Sequence, residues 1–360
     1  MTDKNILTSS DIAADNLKKT PSTGGTAKKR LAVLDIAKGI AILIVIFGHC
    51  LNSFSTNPAL TVSTAMHNTT ESITQFIMPI FFFMSGIFAI SSAKKDLKAT
   101  LPARFMRLAV PYFTWGFLFA VFKEIGGNAA NNPAGIKDFL WSPIMPWSLF
   151  WFLYVMLFIN IIFLVAMKIF GIRIGQPLLL VLSAIAFIYA PYAPYIWVFP
   201  LIFNFMVFFC IGSYFPQIIK NWSEKMTSAQ FVFSAILCAA AFYIFIAFGI
   251  VEDKIYTHYY QIIVASAATY FIFALSWVIE HTSEKLFELL DFFGLKTMEI
   301  YVSHSFVLGV LRVILQKIFA FEYLWARVFF MTAITWVVMY FVWKNIPTSN
   351  RIYKFMFGIK

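Results

Sequence analysis

Apolar stretches of about membrane-span length recur along this whole chain. They fall at roughly residues 31–51, 72–92, 108–122, 149–170, 177–190, 197–215, 229–250, 260–279, 295–318 and 324–343. A transmembrane helix needs about 20 apolar residues. The pattern therefore predicts an all-α integral membrane protein, a bundle of about ten transmembrane helices. Only 12% of the 360 residues are charged, against about 25% in a typical soluble domain.

The first stretch carries Asp35, Lys38 and His49. Ionisable groups inside a span cost several kcal/mol even on lenient scales, so they usually pair, line a cavity or do chemistry. At about 100° per residue, Lys38 and His49 share one helix face, roughly 16 Å apart along the axis. Asp35 is placed to pair with Lys38.

Net charge is +11, from 28 basic and 17 acidic residues. In a membrane protein such an excess gathers in cytoplasmic loops. Once the spans are removed no basic soluble domain remains, which argues against nucleic-acid binding. The 52–71 loop has no Lys or Arg, whereas 93–107 has Lys94, Lys95, Lys98, Arg104 and Arg107. Both termini are thus expected in the cytoplasm, with Asp35 and Lys38 toward the inner end of the first span and His49 toward the outer end. Residues 1–27 are polar and lack the apolar core of a signal peptide, so they are expected to be a disordered cytoplasmic tail. Residues 28–345 form the membrane domain and 346–360 a second cytoplasmic tail. Cys50, Cys210 and Cys238 lie in or beside apolar segments without a CxxC pair, and read as core residues.

Five landmarks occur in order. They are Lys38 with His49 after ten intervening residues, Pro79-Ile-Phe-Phe-Phe-Met-Ser-Gly86, Arg104-Phe-Met-Arg107, Trp151-Phe-Leu153, and Ile300-Tyr-Val-Ser-His304. Together the chain resembles the membrane acyltransferase-3 family, whose members include polysaccharide O-acetyltransferases. The resemblance implies transfer of an acetyl or other acyl group from cytoplasmic acetyl-CoA to a hydroxyl of an extracytoplasmic glycan or lipid-linked glycan precursor, in the cell membrane. It implies no metal. Many relatives carry His two residues before the Pro of the second landmark, where this chain has Ile77.

Each candidate has a functional and a structural reading. His49 is the candidate general base, since imidazole titrates near pH 6.5 and an alcohol is a weak nucleophile while protonated; packing alone is the alternative. Asp35 and Lys38 serve the donor entry or neutralise each other. Arg104 and Arg107 bind CoA phosphates bidentately or only set topology. Trp151 is the candidate acceptor contact, while Trp141 and Trp147 also fit an interfacial belt. Glu299, Tyr301 and His304 form a tunnel wall or a structural network. Arg312 and Lys317 follow in the same segment. A transporter or proton-coupled carrier, with Asp35, Lys38 and His49 as a relay, is the competing class. Oligomeric state is left open.

Overall fold

The computed structural model describes residues 31–55, 62–127, 135–194, 196–244, 254–317 and 323–359. The polar segment 1–27, the basic residues Lys28, Lys29 and Arg30, and part of the 52–71 loop lie outside the described residues. Among the described residues the regular elements are helices, with no strand. They are α1 (Ala32–Ser55), α2 (Thr64–Ile87), α3 (Ala89–Ala93), α4 (Leu97–Gly126), α5 (Ile136–Phe139), α6 (Trp151–Tyr189) and α7 (Phe199–Gly212). Then follow α8 (Pro216–Lys225), α9 (Ser228–Ile244), α10 (Lys254–Thr282), α11 (Glu284–Leu295), α12 (Thr297–Lys317), α13 (Leu324–Asn345) and α14 (Arg351–Met356).

Six helical stretches are long and apolar enough to cross a bilayer: Ala32–Ser55, Leu97–Gly126, Ser148–Tyr192, His258–Thr282, Thr297–Leu315 and Leu324–Asn345. Phe199–Gly212 and Ser228–Ala241 are shorter apolar helices. The difference from ten apolar segments has physical sources. Fourteen residues of α7 rise only about 21 Å, less than a hydrocarbon core of about 30 Å. The first turns of α2 are polar, with His67, Asn68, Thr69, Thr70 and Glu71. The stretch around α6 counts once, yet it has two legs. Gly171 takes φ 71° and ψ 158° inside it, a conformation open to glycine. Gly175 then packs against the carbonyl of Ala166, a pair that a straight helix would hold about 13 Å apart. The two apolar segments read at 149–170 and 177–190 are these two legs.

Helix starts follow local chemistry. Ser63 accepts from the Met66 N–H, Asp96 from the Lys98 N–H, Ser283 from the Leu286 N–H and Asn350 from the Ile352 N–H, as N-caps of α2, α4, α11 and α14.

Helix α1 is the axis of the bundle and packs against α2, α10, α11, α12 and α13. Ile36, Ile279 and Leu290 form a buried apolar cluster between α1, α10 and α11. The α1–α11 crossing is backbone to backbone. A methyl on Gly39 would overlap the Leu290 carbonyl, and one on Gly294 the Asp35 carbonyl. The α2–α7 crossing repeats the device, with Gly86 on Phe209 and Gly212 on Phe83. Small residues permit such approach between membrane helices, so Gly86 of the Pro79–Gly86 run has a packing role.

Cys50, Cys210 and Cys238 are buried free thiols, as the core reading expects. Residues 351–359 are docked onto the bundle. The Thr114 hydroxyl donates to the Met356 carbonyl at 3.1 Å, and Gly358, at φ 57°, lies against the Met106 carbonyl.

Candidate active site

A cavity of about 470 Å³ opens between α1, α2, α4, α6, α12 and the docked C-terminal residues. One end is basic. Lys38, Arg104 and Arg107 line it, together with Glu299 and Tyr353. The middle is largely apolar, with Ile42, Val45, Met78, Met84, Leu108 and Met156. Phe152 and Tyr301 line the cavity at the other end, their rings edge to face at 5.5 Å.

Helix periodicity sets this polarity. On α1, Lys38, Ile42 and Val45 lie on one stripe, with His49 one turn beyond Val45. On α12, Glu299 and Tyr301 line the cavity, and His304 lies one turn beyond Tyr301. The two stripes bring His49 and His304 together, their ring centroids 5.1 Å apart. The Tyr301 ring is 6.3 Å from that of His304, and its hydroxyl donates to the Leu149 carbonyl.

The His304 tautomer follows from its partners. The Ile300 carbonyl, 3.0 Å from Nδ1, only accepts, so Nδ1 carries the proton. Nε2 keeps its lone pair and faces the Ser305 hydroxyl at 3.3 Å. His304 is fully buried, whereas His49 is half-buried.

At the basic end, Lys38 donates to Asp35 Oδ1 at 3.1 Å and lies over the Phe88 ring. Arg104 donates to the Ser92 hydroxyl at 2.7 Å. Lys296 pairs with Glu299 Oε1 at 3.1 Å, and the Tyr353 hydroxyl donates to the same oxygen at 2.5 Å. Burial, then the neighbouring Glu299, push the Tyr353 phenol above its ordinary range, so it stays a donor. Four cations and two carboxylates thus meet at this mouth, an arrangement able to receive phosphate oxygens.

Of the nine sequence candidates, Lys38, Arg104, Arg107, Glu299 and Tyr301 line the cavity. Asp35 braces Lys38, and His49 and His304 meet beyond Tyr301. Trp151 does not line the cavity; its ring packs on Phe205 at 5.3 Å, and within Trp151-Phe-Leu153 it is Phe152 that faces inward. Ile77 is buried, but the α2 lining is Met78, Phe81, Met84 and Ser85, followed by Phe88 just past its end. Trp141 is exposed at 66%, while Trp147 is buried and stacks on Phe150. Arg312 is buried in α12, and the Lys317 side chain lies outside the described residues. Sequence reasoning missed Tyr353, Phe357 and Ile359 of the C-terminal wall. The aromatic spacing of Tyr353 and Phe357, one turn apart, was the available signal. Among the described residues no cluster of three or more His, Cys, Asp or Glu side chains is placed to hold a metal.

Comparison with known proteins gives one result. The sequence model of the acyltransferase-3 family, described as an acyltransferase domain, matches residues 31–343. No curated protein and no solved structure matches the chain. A multi-pass helical chain with a basic mouth leading toward paired histidines, matched over nearly its whole length, belongs to the acyltransferase-3 family.

Proposed function

We propose that this protein is an integral-membrane O-acetyltransferase. It takes acetyl from cytoplasmic acetyl-CoA and transfers it to a hydroxyl of an extracytoplasmic glycan or lipid-linked glycan precursor in the cell membrane. The observation that carries this reading is the cavity running from Lys38, Arg104 and Arg107 to Tyr301, one turn short of His49 and His304. In this reading about ten spans carry both termini in the cytoplasm, and the Lys- and Arg-rich end faces the donor side, which the positive-inside tendency supports.

In this reading Lys38, Arg104 and Arg107 hold the phosphates of the donor. Guanidinium groups bind such oxygens bidentately, while the ammonium acts as a point charge. The acyl-pantetheine arm runs along the apolar middle toward Tyr301. His49 accepts the proton of the acceptor hydroxyl. The oxygen attacks the thioester carbonyl, the C–O bond forms, the C–S bond breaks, and CoA leaves as the thiolate, which takes up a proton. His304, fixed as the Nδ1–H tautomer, packs against His49 and limits its ring orientations. Trp151, at the outer start of α6, is the proposed acceptor contact, and Glu299 ties the donor mouth to the C-terminal segment.

The test is CoA release from acetyl-CoA by the detergent-purified protein, alone and with short glycan acceptors. Acceptor-dependent CoA release supports the reading. A protein that binds no acetyl-CoA and releases no CoA is a carrier or another enzyme class. NMR of surface glycans with and without the gene reports the O-acetyl product.

A further inference from the structure

Asn160 is a buried polar side chain on the wall of an otherwise largely apolar passage. It lies on α6 below Phe152 and Met156, and these three residues, four apart, form the α6 stripe lining the cavity. Asn160 sits about 12 Å along the helix from Phe152. It is 6% exposed. Its Nδ2 donates to the Met156 carbonyl at 2.8 Å, which fixes the orientation of the amide. Among the described residues no group donates to its Oδ1. The residue is buried from bulk solvent, yet Oδ1 is not one of the fully enclosed atoms, so on the cavity wall this fixed acceptor is suited to meet a ligand N–H.

We infer that Asn160 is a donor-specificity residue, its Oδ1 accepting a hydrogen bond from an amide N–H of the pantetheine arm. This rests on the acyl-CoA reading above. The chemistry selects that ligand portion. Between phosphates held by Lys38, Arg104 and Arg107 and a thioester near Tyr301, the arm offers only two N–H donors, both amides, to a largely apolar wall in which, among the described residues, Asn160 carries the only side-chain amide, beside Ile42, Val45, Met84, Met156, Ser85 and Thr297. A passage for an alkyl chain alone would have no use for a buried amide. An acceptor that is satisfied only when the amide is present rejects donors lacking it, because the oxygen is then stranded.

The experiment pairs protein and donor changes. Acetyl-CoA is compared with two analogues, each with one pantetheine amide nitrogen replaced by an ester oxygen, on the wild type, Asn160→Leu and Asn160→Asp. Melting temperature is measured on the same preparations. The wild type is expected to show a KM about three- to tenfold higher for at least one ester analogue, with kcat nearly unchanged. Asn160→Leu should raise the acetyl-CoA KM similarly and treat that analogue and acetyl-CoA alike. Asn160→Asp keeps an acceptor and should keep the discrimination. A wild type indifferent to both ester analogues overturns the inference whatever the variants do, as does a folded Asn160→Leu that discriminates like the wild type. Either result, with a wild type that uses acetyl-CoA, refutes only Asn160. A wild type that neither binds nor consumes acetyl-CoA refutes the donor reading itself, and this inference with it.

Discussion

The imidazoles of His49 and His304 lie 5.1 Å apart, although one comes from the first described helix and the other from α12. Their partners differ. His304 is fully buried and anchored through Nδ1 to the Ile300 carbonyl, whereas His49 is half-buried and lies one turn beyond a cavity-lining residue. On the proposed mechanism, His49 is the base and the anchored His304 ring its support. His49→Ala should therefore lower turnover on the order of 10²–10⁴-fold while leaving acetyl-CoA affinity largely intact. Retention of more than about a tenth of wild-type turnover in folded, purified protein would remove His49 from the base role. His304→Ala should lower kcat less, with donor KM unchanged.

The donor mouth makes a separable prediction. If Arg104 and Arg107 hold donor phosphates as proposed, Arg104→Ala and Arg107→Ala each remove charge-assisted contacts and should raise the KM for acetyl-CoA with kcat nearly unchanged. Loss of the 3′-phosphate from the donor should matter less in at least one of them than in the wild type. Titration showing unchanged CoA affinity in both would leave them as topology determinants.

Asp35 and Lys38 form a partly buried pair. Removing one partner of such a pair can cost about 3–5 kcal/mol, while removing both is often neutral. Asp35→Leu combined with Lys38→Met should fold and stay inactive, because Lys38 also lines the cavity. A stable double variant that still transfers acetyl would reduce Lys38 to a counter-ion.

The docked C-terminus is tested at Tyr353. Its hydroxyl and Lys296 share one Glu299 oxygen. Tyr353→Phe strands part of that carboxylate and should lower stability by about 1.5–3 kcal/mol, the range for hydrogen bonds to charged groups. It should also weaken acetyl-CoA binding, since Tyr353, Phe357 and Ile359 line the mouth. Thermal melts and CoA titration on one preparation measure both; an unchanged melt would mean the contact contributes nothing.

Orientation is checked in intact cells with cysteines at single positions in a background lacking Cys50, Cys210 and Cys238. Asp96→Cys should resist an impermeant thiol reagent, and Leu60→Cys should react. The contrast of zero with five basic residues in the flanking loops is the reason. Labelling at position 96 would invert the topology and move the donor mouth to the wrong side.

The site was legible in the sequence wherever a local rule carried it. Lys38 and His49 share a helix face by spacing alone, and Arg104 and Arg107 line one cavity because three residues nearly complete a turn. Trp151 shows the limit. A motif marks a segment, but the direction each side chain takes depends on the neighbour it packs against, and α6 turns Phe152 inward instead. Tyr353 lay outside every apolar segment; its one-turn spacing from Phe357 signalled an aromatic face, but not that this face would fold back onto α4.

Composition and apolar periodicity by themselves determined the helical membrane class, because a bilayer leaves a chain of span-length apolar segments few ways to satisfy its backbone. They also determined that Asp35, Lys38 and His49 needed an explanation, because charge is costly in hydrocarbon. The tertiary structure alone decided the rest. The meeting of His49 with His304, the return of the chain at Gly171, the glycine crossings of Gly39 with Leu290 and Gly294 with Asp35, and the C-terminal wall all join residues far apart in sequence. Such contacts depend on how helix surfaces fit one another, and no local periodicity encodes that fit.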